Sequence, residues 1–148
     1  MNVINMINIP LRVINEEYNE EEKAVIHVIL YDSNDWEKST DNILDKDNIV
    51  ITDSNISITY DYPLSNPLTM NYKSKDGFTL KNIVDIIVTE YIKIYDTDEK
   101  TSTTCNRYTP PYKSDGIYGI FRLHLCDLII KKLKYDSINK KVLIFMDP

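Results

Sequence analysis

The stretch 77-GFTLKNIVDIIVTEYIKIYD-96 decides the fold class. Leu80, Ile83, Val84, Ile87, Tyr91, Ile94 and Tyr95 recur at steps of three and four, so they form one apolar stripe along a helix. Thr79 stands where an N-cap belongs, its hydroxyl able to accept from an orphan backbone N–H. Gly77 before it lets the chain turn sharply into the helix. The β-branched content is poor for an isolated helix, so this one needs a sheet to pack against. The periodicity predicts a helix over 79–96.

The sheet is sought on either side. Residues 55-NISITYDY-62 alternate, with Ile56, Ile58, Tyr60 and Tyr62 on one face and Asn55, Ser57, Thr59 and Asp61 on the other. That is the period of a strand with one buried and one wet face. Asp53-Ser54-Asn55 reads as a hairpin turn after a short strand at 49–51. Pro63 and Pro67 end regular pairing, because proline cannot donate to a ladder. Residues 23-KAVIHVILY-31 are rich in branched side chains and apolar on both faces, which predicts a central strand. Glu16 to Glu22 reads as an acidic loop or short solvated helix. At the C-terminus, 131–135 and 141–146 flank the turn-rich Asp136–Lys140 and predict a hairpin, with Leu133 and Tyr135 facing Val142, Ile144 and Met146. The expectation is one α+β domain over 1–148: an antiparallel sheet of about five strands with one long amphipathic helix on one face. Polar residues 97–115, with Pro110-Pro111, read as a mobile loop.

Composition excludes several classes. The chain has 148 residues, 43% hydrophobic and 27% charged, the balance of a globular protein. No apolar run approaches the roughly 18 residues of a membrane span, and the N-terminus lacks the pattern of a signal peptide. Two cysteines, Cys105 and Cys126, are too few for a disulfide scaffold, which predicts a cytoplasmic setting. With Gly77, Gly116 and Gly119 as the only glycines, no phosphate-binding glycine loop can be written. Two histidines and two separated cysteines give no zinc spacing. No cofactor and no metal is expected.

The net charge is −6, distributed unevenly: residues 1–100 carry 19 acids and 9 bases, and residues 101–148 carry 4 and 8. An acidic chain repels nucleic acid unless it concentrates a basic face. Lys131, Lys132, Lys134, Lys140 and Lys141 could make one, but the wet side of a hairpin explains them more simply.

The remaining candidates are weighed similarly. His124 has Cys126 and Asp127 close in sequence, and a thiolate activated by imidazole is an established chemistry. Neighbours two and three apart need not face each other, and cysteine in an apolar run is usually a small core hydrophobe. His124 with Asp127 or Cys126 is therefore the enzymatic alternative, in a cleft beside 98–115. His27, within an apolar strand, reads as structural. Tyr108, Tyr112 and Tyr118, with Trp36, offer the amphipathic contact area typical of protein-binding faces. The expectation is a non-enzymatic module binding another protein or itself.

The order of short motifs carries a resemblance. Tyr62-Pro63-Leu64, Gly77-Phe78-Thr79 before a helix ending Ile94-Tyr95-Asp96, Gly116-Ile117-Tyr118-Gly119, His124 with Asp127-Leu128, and Tyr135-Asp136 before a last strand ending at Asp147 span roughly 50–148. In this order they resemble a poorly characterised family of small proteins from plants, fungi and large DNA viruses of amoebae. In that pattern the histidine directly follows an aromatic-Gly step, whereas here Ile120, Phe121, Arg122 and Leu123 intervene between Tyr118-Gly119 and His124. The resemblance implies a fold and a viral or protist origin, and carries no activity. The scarcity of alanine (Ala24 alone) and arginine (Arg12, Arg107, Arg122) beside abundant Ile, Asn, Lys and Tyr fits an AT-rich genome of that kind.

Overall fold

A computed structural model describes residues 6–9, 13–15, 20–22, 28–29, 43, 45–103, 112–121, 125 and 128–147, without the side chains of 13–15, 20–22, 28–29, 129 and 147. The strands are β1 (Met6–Ile9), β2 (Val13–Asn15), β3 (Glu20–Glu22), β4 (Val28–Ile29), β5 (Ile49–Ile51), β6 (Asn55–Tyr60), β7 (Leu68–Lys73), β8 (Phe78–Thr79), β9 (Ile129–Asp136) and β10 (Lys141–Asp147). The helix, α1, is Leu80–Thr101.

The main sheet runs β1-β9-β10-β6-β7, with β4 also pairing β9. It is mixed rather than antiparallel as expected, because β10 lies parallel to β6, Val142 beside Ile58. The hairpins β6-β7 and β9-β10 are each antiparallel. They meet with their strands β6 and β10 pointing the same way, which a local reading of either hairpin cannot register. The turn expected at 53–55 does not form a hairpin: β5 pairs β8, and β6 turns away to pair β7. Glu20–Glu22, read as loop or helix, is a strand paired with β2. Of the 23–31 strand, only Val28–Ile29 lies among the described residues, paired with Ile130 and Ile129.

Register sorts the two faces. One row runs Ile7, Tyr135, Val142, Ile58, Met70 across five strands, and the next row, offset by one, runs Asn8, Lys134, Leu143, Thr59, Thr69. The first row faces the core at its centre, where Tyr135, Val142 and Ile58 are buried, while Ile7 on the edge strand is exposed. The second faces outward, as period-two alternation demands.

Helix α1 closes the core. Leu80, Ile83, Val84, Ile87, Tyr91, Ile94 and Tyr95, the whole predicted stripe, are buried together with Val88. Each contributes about 1.5–3 kcal/mol by leaving water. Tyr91 meets Tyr60 of β6 edge to face at 5.3 Å and 79°. Thr79 caps the helix: its hydroxyl accepts from Asn82 N–H at 3.1 Å, and the Asn82 side chain accepts from Thr79 N–H at 3.0 Å. Gly77, at φ 84°, has no room for a side chain, since a Cβ would stand 2.4 Å from the Ile51 carbonyl oxygen. The helix runs one turn beyond the predicted end at Asp96, so 97–101 belong to it and not to a loop.

Candidate functional site

The extra helical turn positions the most elaborate polar junction among the described residues. Asp98 is fully buried near the C-terminus of α1. Its Oδ1 accepts from the backbone N–H of Tyr118 at 2.9 Å and of Gly119 at 3.1 Å. A carboxylate opposes the negative end of the helix dipole there, and the two backbone donors offset that cost. Its Oδ2 is buried with no hydrogen-bond partner among the described residues. The Thr101 hydroxyl accepts from Ile117 N–H at 2.9 Å. Asp115 ties the end of the helix, accepting from Ser102 Oγ at 2.5 Å, Thr103 N–H at 3.0 Å and Thr103 Oγ1.

The glycines of GIYG now have separate reasons. Gly116 packs against the carbonyl and carboxylate of Asp98, and Gly119 takes a positive φ of 56°. Within the turn, Gly119 N–H donates to Gly116 O and Gly116 N–H to the Ser114 hydroxyl, and Ser114 is buried.

The link between β6 and β7 docks on the other side of this turn. Ser65 N–H reaches both Tyr118 O and Gly119 O at 3.0 Å, and its hydroxyl donates to Gly119 O at 2.6 Å. Asn66 donates from its backbone to Tyr118 O and from its amide to Ile117 O at 3.0 Å. Phe121 N–H returns to Pro63 O, and Leu64 bridges Ile120, both side chains buried. Tyr91 of α1 donates to Tyr62 O at 2.9 Å, and the Tyr62–Pro63 peptide is cis. Thus Tyr62-Pro63-Leu64, the end of α1 and Gly116–Gly119, distant in sequence, build one knuckle.

The knuckle presents apolar side chains to water. Tyr62 is 45% exposed, Ile117 56% and Phe121 44%. Their backbones are held by the hydrogen bonds just described, so the ordering cost of a partner would fall on side chains alone. Sequence reasoning named neither Ile117 nor Phe121 as a contact and set Tyr62 on the buried face of the 55–62 strand, whereas β6 ends at Tyr60 and Tyr62 turns to water. The available signal was the two-glycine turn, whose central Ile117 is lifted from the surface. Of the aromatic residues singled out, Tyr118 is half-buried and packs against the core. Tyr112 is half-buried at φ 61°. Tyr108, Trp36, His124, Cys126, Asp127 and His27 lie outside the described residues. Among the described residues no three His, Cys, Asp or Glu side chains group as metal ligands.

Other motifs serve the frame too. Tyr135 donates to Asp53 Oδ2 at 2.5 Å, and Lys140 pairs with Asp53 Oδ1 at 3.0 Å. The Tyr135 hydrogen bond first, then Lys140, hold the Asp53 carboxyl below its ordinary value. Asp136 accepts from Ile138 N–H, Asn139 N–H and the Asn139 amide, closing the β9-β10 turn, and its carboxyl is lowered accordingly. The five lysines do not form one basic face: Lys140 is paired with Asp53, Lys141 lies opposite Asp136, and Lys131 is the extra residue at the bulge facing Phe145–Met146.

No family model matches this chain, and no curated protein and no solved structure matches it. No helix among the described residues is long and apolar enough to cross a membrane.

Proposed function

We propose that this chain is a non-enzymatic interaction or assembly module that binds another protein or a second copy of itself through the knuckle. The observation that carries the reading is the exposure of Tyr62, Ile117 and Phe121 on a junction whose backbone is fixed from two sides. Rigid aromatic and aliphatic anchors of this kind are what protein interfaces use to gain affinity. The motif order supports membership of the family named above and an origin in a large DNA virus. Two cysteines in 148 residues support a cytoplasmic setting, in host cytoplasm or a viral factory.

The test uses the full chain and its I117D/F121D variant. Light scattering reads self-association as a mass above 17.3 kDa, and affinity capture from expressing cells reads a foreign partner. The proposal expects one of these signals in the wild type and its loss in the folded variant. A monomeric wild type that captures the same proteins as the variant overturns it.

A further inference from the structure

On the outward face of the sheet, Lys132 and Lys134 converge on one aromatic ring. Their ammonium nitrogens lie 5.6 and 5.7 Å from the centroid of Phe145, which is 42% exposed. Register explains the convergence. Lys132 is directly opposite Phe145, and Lys134 is opposite Leu143, one outward step along β10. The ring attracts each cation, while the cations repel each other. Repulsion by Lys134 is the first cause that holds the Lys132 ammonium below its ordinary value. Neither lysine has an ion-pair partner among the described residues, although the chain as a whole is acidic. Nearby acids are already occupied, Asp136 by Asn139 and Asp53 by Tyr135 and Lys140.

We propose that Lys132 and Lys134, held over Phe145, form a binding site for a phosphoryl group. A tetrahedral dianion offers oxygens to both ammonium groups at once and removes their repulsion. Lysine serves phosphate as a point charge, whereas a carboxylate is better matched by the planar fork of arginine. Asn8, opposite Lys134 on β1, places an amide on the same face. Two cations are too few to hold a long nucleic acid against salt. The site therefore suits a single phosphoryl group, free or carried on a small molecule. This inference does not rest on the knuckle.

The experiment is a titration of the full-length, isotope-labelled chain, following backbone amides and lysine ammonium signals by NMR. Inorganic phosphate and adenosine monophosphate are the ligands, with chloride at matched ionic strength as control. Saturable shifts confined to 132–134 and 143–145, seen with phosphate and not with chloride, are expected. Lys134→Ala and Lys132→Ala should each weaken binding at least fivefold, and Lys75→Ala should leave it unchanged. Tighter binding of the nucleotide would show that Phe145 also receives a flat base; equal binding would show that the phosphoryl group is the whole ligand. Shifts that never saturate, that chloride reproduces, or that survive Lys134→Ala overturn the proposal.

Discussion

Gly116 lies so close to Asp98 that a methyl group on the glycine would stand 2.4 Å from the aspartate Oδ1 and 2.3 Å from its carbonyl oxygen. Gly116→Ala must therefore displace the helix end or the turn, at a cost of about 2–4 kcal/mol. Asp98→Ala leaves the Tyr118 and Gly119 N–H groups without their acceptor, costing about 2–4 kcal/mol. The two changes should not add. With the carboxylate gone, part of the space for the alanine opens, so Gly116→Ala should cost at least 1 kcal/mol less in the Asp98→Ala background. Denaturant unfolding of the four proteins measures this coupling. Strict additivity would show that the glycine is required for another reason.

Tyr135 and Asp53, brought together from β9 and the segment before β6, set an acid limb of stability. The Asp53 pKa is depressed in the folded chain below an unfolded value of about 3.9. Its contribution is therefore present above about pH 4 and is lost as the pH falls through the lower folded value. Tyr135→Phe should raise the Asp53 pKa toward the ordinary value and lower stability at pH 7 relative to its value near pH 2. Carboxyl-carbon NMR of Asp53 across pH 2–6, beside unfolding curves, reads both.

Tyrosines set the alkaline limb. Burial first raises Tyr60, Tyr91 and Tyr135, and adds to their hydrogen-bonded or acidic surroundings; burial also raises Tyr72, against its bond to Tyr60. Unfolded tyrosine ionises near pH 10, below these folded values. The contribution of the neutral phenols is thus complete below about pH 10 and is lost as pH rises above it. Tyrosinate absorbance should rise in two stages, exposed phenols first and the buried set together with unfolding. A single gradual rise with the fold intact would contradict this.

Thr79→Ala should cost about 1 kcal/mol, because Asn82 N–H loses its acceptor while the reciprocal bond to Thr79 N–H remains. The denaturant midpoint should fall with an unchanged slope. Asn82→Ala should cost less, and the double variant less than the sum.

Much of this was legible because it is local. The stripe of α1, its threonine cap, the alternation of Ile56, Ile58 and Tyr60 and the facing rows of the β9-β10 hairpin follow from periods of 3.6 and 2 within a few residues. The strand β7 was missed although Leu68, Met70 and Tyr72 alternate, since Pro63 and Pro67 suggested that pairing had ended. Pro67 in fact stands just outside the strand, where it removes no ladder bond. The apolar stripe ends near Asp96 and the polar residues after it read as a loop, yet Asp98 among them is a buried acceptor inside the helix.

The sequence by itself determined α1 with its threonine cap, and the inward faces of β6 and of the β9-β10 hairpin. Only the tertiary structure decided that β10 runs parallel to β6, that Gly116 must lack a side chain and that Tyr62, Ile117 and Phe121 share one knuckle. Likewise, only register set Lys132 and Lys134 over Phe145. Helical and hairpin hydrogen bonds close over a few residues and leave a period in the sequence. Contacts such as Asp98 with Gly119, or Tyr135 with Asp53, close over about 20 and 80 residues, and loops of that length impose no pattern on the residues between.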